Sequence, residues 1–105
     1  MEAVPREVRI CRDNNGREPF NEWLNRLDAK TEAIILKRLE RVENGNLGDV
    51  SPVGEAVSEL KIDFGPGYRV YFGQRGNKIH LICGGTKQGQ QADIESAKAF
   101  WRDYD

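Results

Sequence analysis

Residues 57–94, VSELKIDFGPGYRVYFGQRGNKIHLICGGTKQGQQADI, constrain the fold more than any other part of the chain. Leu60 and Ile62 alternate with Glu59 and Lys61. Tyr68, Val70 and Phe72 alternate with Arg69 and Tyr71, and Ile79, Leu81 and Cys83 alternate with Lys78 and His80. A period of two predicts three strands, each with one apolar and one polar face. The links at 64–67 and 74–77 are short enough for an antiparallel meander. Core must oppose core, so side-chain parity limits the register. A four-residue loop at 74–77 predicts Gly73 opposite Lys78 and Tyr71 opposite His80. Across the earlier turn, parity allows Lys61 opposite Arg69, or Lys61 opposite Tyr71 with Asp63 opposite Arg69. Either register puts Lys61, Arg69, Tyr71 and His80 on one open polar face.

The apolar face of such a sheet needs a cover. Phe20, Trp23, Leu24 and Leu27 follow Pro19 at helical spacing, and proline is harmless in a first turn. Asp28 is placed to cap a second helix from Ala29 to about Asn44, with Ile35, Leu39 and Val42 as its buried stripe and Gly45 at its end. These two helices form an antiparallel hairpin whose only apolar partner is the sheet. Ahead of them, residues 6–12 alternate as a strand, and Asp13-Asn14-Asn15-Gly16 is turn chemistry. Residues 46–54 read as a loop. A last helix is predicted from an Asp93 cap to Tyr104, with Ile94, Ala97 and Trp101 on one side. Trp23 and Trp101 are expected in the core. The fold class is α+β, and 105 residues make one domain over 1–105.

Charge is unevenly distributed. Residues 1–55 carry nine Lys/Arg against eleven Asp/Glu. Residues 56–91 carry Lys61, Arg69, Arg75, Lys78 and Lys87 against Glu59 and Asp63, and residues 92–105 carry two bases against four acids. This basic island between acidic ends suits a phosphate-bearing partner. No apolar run is long enough to span a membrane, and MEAVPREVRI lacks the basic and apolar regions of a signal peptide, so a cytoplasmic protein is expected. Cys11 and Cys83 read as free buried thiols. No His, Cys and carboxylate set has metal-ligand spacing, and no glycine-rich phosphate loop precedes a helix, so no cofactor is expected.

The ordered strings FNEWLNRL, RLERVENGNLGD, SPVGEAVSELKI, GPGYRVYF and LICGGTKQGQQADI resemble the phage-derived, HigB-like branch of the RelE/ParE toxin superfamily, whose members are often labelled addiction-module killer proteins. The resemblance runs from about Phe20 to Trp101. It implies a RelE-like toxin fold, with a small antiparallel sheet, an N-terminal helix hairpin packed on one face and a C-terminal helix. It also implies the toxin of a type II toxin–antitoxin system, a metal-independent, ribosome-dependent mRNA endoribonuclease that arrests translation. The implied partners are the ribosome, its mRNA and a cognate antitoxin, a helix-turn-helix DNA-binding protein. The alternatives on the same fold are a ParE-like DNA gyrase inhibitor and a degenerate toxin that only binds its antitoxin.

Carried over residue by residue, Lys61 matches the basic position before the GPG turn. Arg69 matches the arginine that contacts the scissile phosphate. Lys87 and Gln90 match a basic and a polar residue of the GGDKSxQ-like loop. Thr86 and Gly89 depart from that loop pattern, and this slightly acidic chain departs from the basic character of RelE-like nucleases. The implied reaction uses the RNA 2′-OH as nucleophile, so the site must accept a proton, stabilise charge on phosphorus and protonate the leaving oxygen. Arg69 suits phosphate through its planar, permanently charged fork. Lys61 and Lys87 add charge. His80 has the intrinsic pKa for acid–base work, and Glu59 is a second candidate base. Tyr71, Gln90, Arg75 and Lys78 complete the expected substrate-binding surface.

Overall fold

The computed structural model describes residues 4–104, so the first three residues of the MEAVPREVRI segment lie outside it. The chain runs β1 (Glu7–Ile10), α1 (Pro19–Asn25), α2 (Ala29–Glu43), β2 (Val50–Gly54), β3 (Val57–Ile62), β4 (Tyr68–Arg75), β5 (Lys78–Thr86), a 3₁₀ turn (Lys87–Gly89) and α3 (Gln90–Arg102). This is a small α+β fold built on one five-stranded mixed sheet, in the order β1-β5-β4-β3-β2. No helix among the described residues is long and apolar enough to cross a membrane.

The helix hairpin follows from its local chemistry. Asp28 caps α2, accepting from the Thr31 backbone N–H at 3.4 Å and the Thr31 hydroxyl at 2.6 Å. Beyond its other end Gly45 takes φ +94°, and its N–H returns to the Val42 carbonyl at 2.9 Å. Phe20, Trp23 and Leu24 of α1 join Ile35, Leu39 and Val42 of α2 over Leu60, Ile62, Val70, Phe72, Ile79 and Leu81 of the sheet. Trp23 packs against Gly84, where a Cβ would collide with the indole.

Four expectations need correction. The sheet is mixed, because β1 adds to β5 in parallel, with Val8 beside Ile79. Residues 46–54 contain an edge strand, β2, where Pro52 is tolerated because an edge strand leaves one side of its backbone unpaired. Its hairpin to β3 turns through Glu55 and Ala56 at φ +53° and +64°, residues that carry no turn signature. The last helix begins at Gln90 rather than Asp93, with Gly89 at the cap position, and Asp93 sits in its first turn.

The fourth correction moves the polar face. The β4–β5 hairpin closes through Gly76 and Asn77, so Arg75 pairs with Lys78 and Gly73 with His80. A bulge at Ile82 then puts Tyr71 opposite Cys83, and Cys83 turns to the face opposite Ile79 and Leu81. That face is not open. α3 lies on it, and Ala97 and Trp101 pack with Cys11, Val57, Tyr71 and Ile82 into a second core. Trp101 occupies the space that a Cβ on Gly73 would fill. Cys11 and Cys83 are free thiols, and burial pushes Cys11 up to about 11 and Cys83 up to about 12.

Candidate functional site

The β3–β4 register is Lys61 opposite Arg69 and Glu59 opposite Tyr71. The α3-facing side of these strands therefore carries a carboxylate, a phenol and two cations at one end of the sheet. Glu59, 8% exposed, is the hub. Its Oε2 accepts from the Tyr71 hydroxyl at 3.1 Å and from Gln90 Nε2 at 2.8 Å, and Arg69 Nε lies 3.6 Å away. Gln90 reaches it because α3 starts there, one short turn after β5. Arg69, 5% exposed, also donates through Nη1 to the Gly67 carbonyl at 2.8 Å, while its Nε has no hydrogen-bond partner. Lys61 and Lys87 are exposed at the rim of this buried pair. Lys87 belongs to the same end, because a Cβ on Gly67 would touch both Arg69 Nη1 and Lys87 Cβ, at 3.3 and 3.9 Å.

Burial pushes the Tyr71 phenol well above its ordinary range, and the neighbouring Glu59 charge adds to this. Tyr71 is thus a hydrogen-bond donor and not a base. Asp93 sits over Gly85, whose lack of a side chain admits the carboxylate, and burial raises its pKa. Two acids, one phenol and three cations meet here.

The other expected site residues are elsewhere. His80, 8% exposed, lies near the β4–β5 hairpin, its ring 5.6 Å from Trp101 and 5.9 Å from Tyr104. Arg75 stacks on Trp101 at 4.3 Å and donates to the Tyr104 carbonyl at 2.5 Å. Lys78 pairs with Arg75 at the same end and lies beside Glu7 of β1. Burial lowers the His80 pKa, and Arg75, Arg9 and Lys78 push it further down, so His80 is neutral at neutral pH. The expected contact between His80 and Tyr71 does not form, because the tight hairpin and the bulge change the pairing. The set therefore divides: Lys61, Arg69, Tyr71, Lys87 and Gln90 come together, and His80, Arg75 and Lys78 do not join them.

Asp93 was expected to cap a helix and instead approaches the cluster. Its three-residue spacing from Gln90 carried that signal only once the helix start was known. Among the described residues, no group of three or more His, Cys, Asp or Glu is arranged to hold a metal.

The fold and cluster define a small α+β domain with helices on both faces of a mixed sheet and a buried Arg–Glu pair under an exposed basic rim. No protein-family model matches the chain. It is 43% identical over 81 residues to an uncharacterized protein of Haemophilus influenzae, a match covering 75% of this chain and 82% of that protein. The chain belongs to the same family as that protein.

Proposed function

We propose that the chain is the toxin of a type II toxin–antitoxin pair, with a RelE-like fold, and acts as a metal-independent, ribosome-dependent mRNA endoribonuclease. The observation that carries this reading is the meeting of Lys61, Arg69 and Lys87 at one end of the sheet around Glu59. In this mechanism Lys61 and Lys87, both exposed, contact the scissile phosphate, and Arg69 adds fixed positive charge from beneath. Both hydrogen bonds to Glu59 end on Oε2, which leaves Oε1 to take the proton of the 2′-OH. The 2′-oxygen then bonds to phosphorus, the P–O5′ bond breaks, and Lys87 gives a proton to the leaving 5′-oxygen. Tyr71 and Gln90 hold that carboxylate in place. His80 has no part in it. The proposed partners are the ribosome with its mRNA and a cognate helix-turn-helix antitoxin.

The burial of Arg69 against Glu59 favours one second reading, a degenerate toxin that binds its antitoxin without cutting RNA. The test is controlled expression in bacteria with mapping of new mRNA 5′ ends, comparing wild type with Lys61→Ala/Lys87→Ala, whose sites are exposed and leave the core intact. Wild type is expected to arrest growth with in-frame cuts in translated regions, and the double variant to cut at least about 100-fold more slowly. Cuts that persist unchanged in the double variant reject the assignment. Arrest with broken DNA and intact mRNA selects a gyrase poison, and no arrest selects the degenerate partner.

A further inference from the structure

A second basic feature lies on the opposite side of Lys61 from Arg69. A groove of about 430 Å³ runs between α2, the segment entering β2, and the end of β3 with its turn. Its floor is apolar, made by Ile34, Ile62 and Phe64. Its walls carry Lys37, Arg38 and Arg41 from α2 and Lys61 from β3. Lys37 and Arg41 are one helical turn apart, so they project from the same face of α2.

Among the described residues this charge is only partly offset, by Asp49, which favours the charged form of Arg38, and by Asp63. Five ion pairs occur among the described residues, and none uses a groove cation. Asp49 and Asp63 line the groove but pair with none of the four. Arg38 is held by the carbonyls of Leu47 and Asn46, at 2.5 and 3.4 Å, and its pKa is lowered first by burial and then by Arg41 beside it. Four cations against two carboxylates thus give one groove a positive excess in a chain whose net charge is −1. An anion entering it would relieve that repulsion.

We propose that this groove binds one nucleotide of single-stranded RNA next to the scissile phosphate, with its phosphate on Lys37, Arg41 and Lys61 and its base against the apolar floor. The inference rests on the nuclease reading for its position and extends it to a substrate-binding subsite. Lys61 lines the groove and stands opposite Arg69 in the sheet, so the groove adjoins the basic rim. The volume suits a nucleotide. It is small for an acidic helix, which would need a longer run of apolar anchors. A cationic wall with an apolar, partly aromatic floor is how single strands are held without base pairing. Phe64 is half-buried and stacks on Tyr68, which keeps its ring in position at the groove.

The test is fluorescence anisotropy of a short, unstructured, labelled RNA with the full chain, titrated across salt concentrations and without ribosomes. Lys37→Ala/Arg41→Ala is expected to weaken binding about tenfold and to reduce the salt slope by about 0.7, the value for one lost phosphate contact on a single strand. Both residues are exposed, and Lys37→Glu/Arg41→Glu is expected to weaken binding further with an unchanged circular dichroism spectrum. Unchanged affinity in both variants overturns the proposal. So does poly-glutamate that displaces the RNA at equal charge, which assigns the groove to an acidic protein segment. A chain that binds RNA here but cuts no mRNA keeps the groove and refutes the nuclease. A chain that cuts mRNA while both groove variants bind normally does the reverse.

Discussion

The face of the sheet under α3 solves one problem in two ways. At one end Arg69 stays charged in a buried pair with Glu59, supported by Tyr71 and Gln90. At the other end His80 is kept neutral between Trp101 and Tyr104, under an Arg75 that stacks on the same indole. Each end retains one buried nitrogen without a hydrogen-bond partner, Arg69 Nε and His80 Nδ1. A guanidinium cannot discard its charge, so burying it requires an acid, and the acid then needs donors. An imidazole escapes the same penalty by losing a proton. The aromatic end is therefore built for packing. The ionic end keeps polar chemistry beside an exposed basic rim, which is why it carries the functional proposal.

The sharpest way to break the comparison is to remove the aromatic cover. Trp101→Ala strips the indole from Gly73, His80 and Arg75 and is expected to destabilise the fold by about 3–5 kcal/mol in urea unfolding. A loss under about 1 kcal/mol would mean that α3 docks without it.

At the ionic end, Arg69→Leu leaves Glu59 buried without its cation and is expected to cost about 3 kcal/mol. Adding Glu59→Leu is expected to recover most of that, because removing both charges removes the uncompensated one. A double variant as unstable as the single one would show that packing, and not charge, holds this end. Here also lies the reason to test activity through Lys61 and Lys87 first, since Arg69→Ala confounds catalysis with stability.

The smallest effect is in pH. The folded-state pKa of His80 lies below its ordinary 6.5, so the unfolded chain takes up the proton first. Its contribution to stability is complete above about pH 6.5 and is lost as pH falls toward the folded value. Arg75, Arg9 and Lys78 face the ring and oppose protonation, and Glu7 favours it weakly. The difference in stability between wild type and His80→Gln is expected to shrink on acidification from pH 7.5 to 5.5. A difference that stays constant across that range would mean the ring titrates as in the unfolded chain.

Much of the fold was legible in residues. The Asp28 cap, the Gly45 stop and the i, i+3, i+4 stripes are local devices, and both helices of the hairpin begin where those signals stand. The alternation at 60–62, 68–72 and 79–81 named the core face correctly. The bulge at Ile82 was not legible, because a single extra residue in a strand leaves no compositional mark. Nor was the edge strand β2, whose proline and positive-φ Glu55 and Ala56 oppose its local propensity. Of the site, Lys61, Arg69 and Tyr71 share a face as the alternation predicts and Lys87, marked only by the resemblance, lies at the same end, while His80 was misplaced by a register that depended on turn length. Lys37 and Arg41 carried their signal in a one-turn spacing that had no visible partner until the sheet was in place.

By itself, then, the amino-acid order determined the helices, the meander and the inward face of each strand, because capping, periodicity and turn chemistry act over a few residues. Only the tertiary structure decided that the second face is also covered. A polar-looking pattern of Arg69, Tyr71 and His80 describes what side chains carry, and whether water or α3 covers them depends on where that amphipathic helix, distant in sequence, comes to rest.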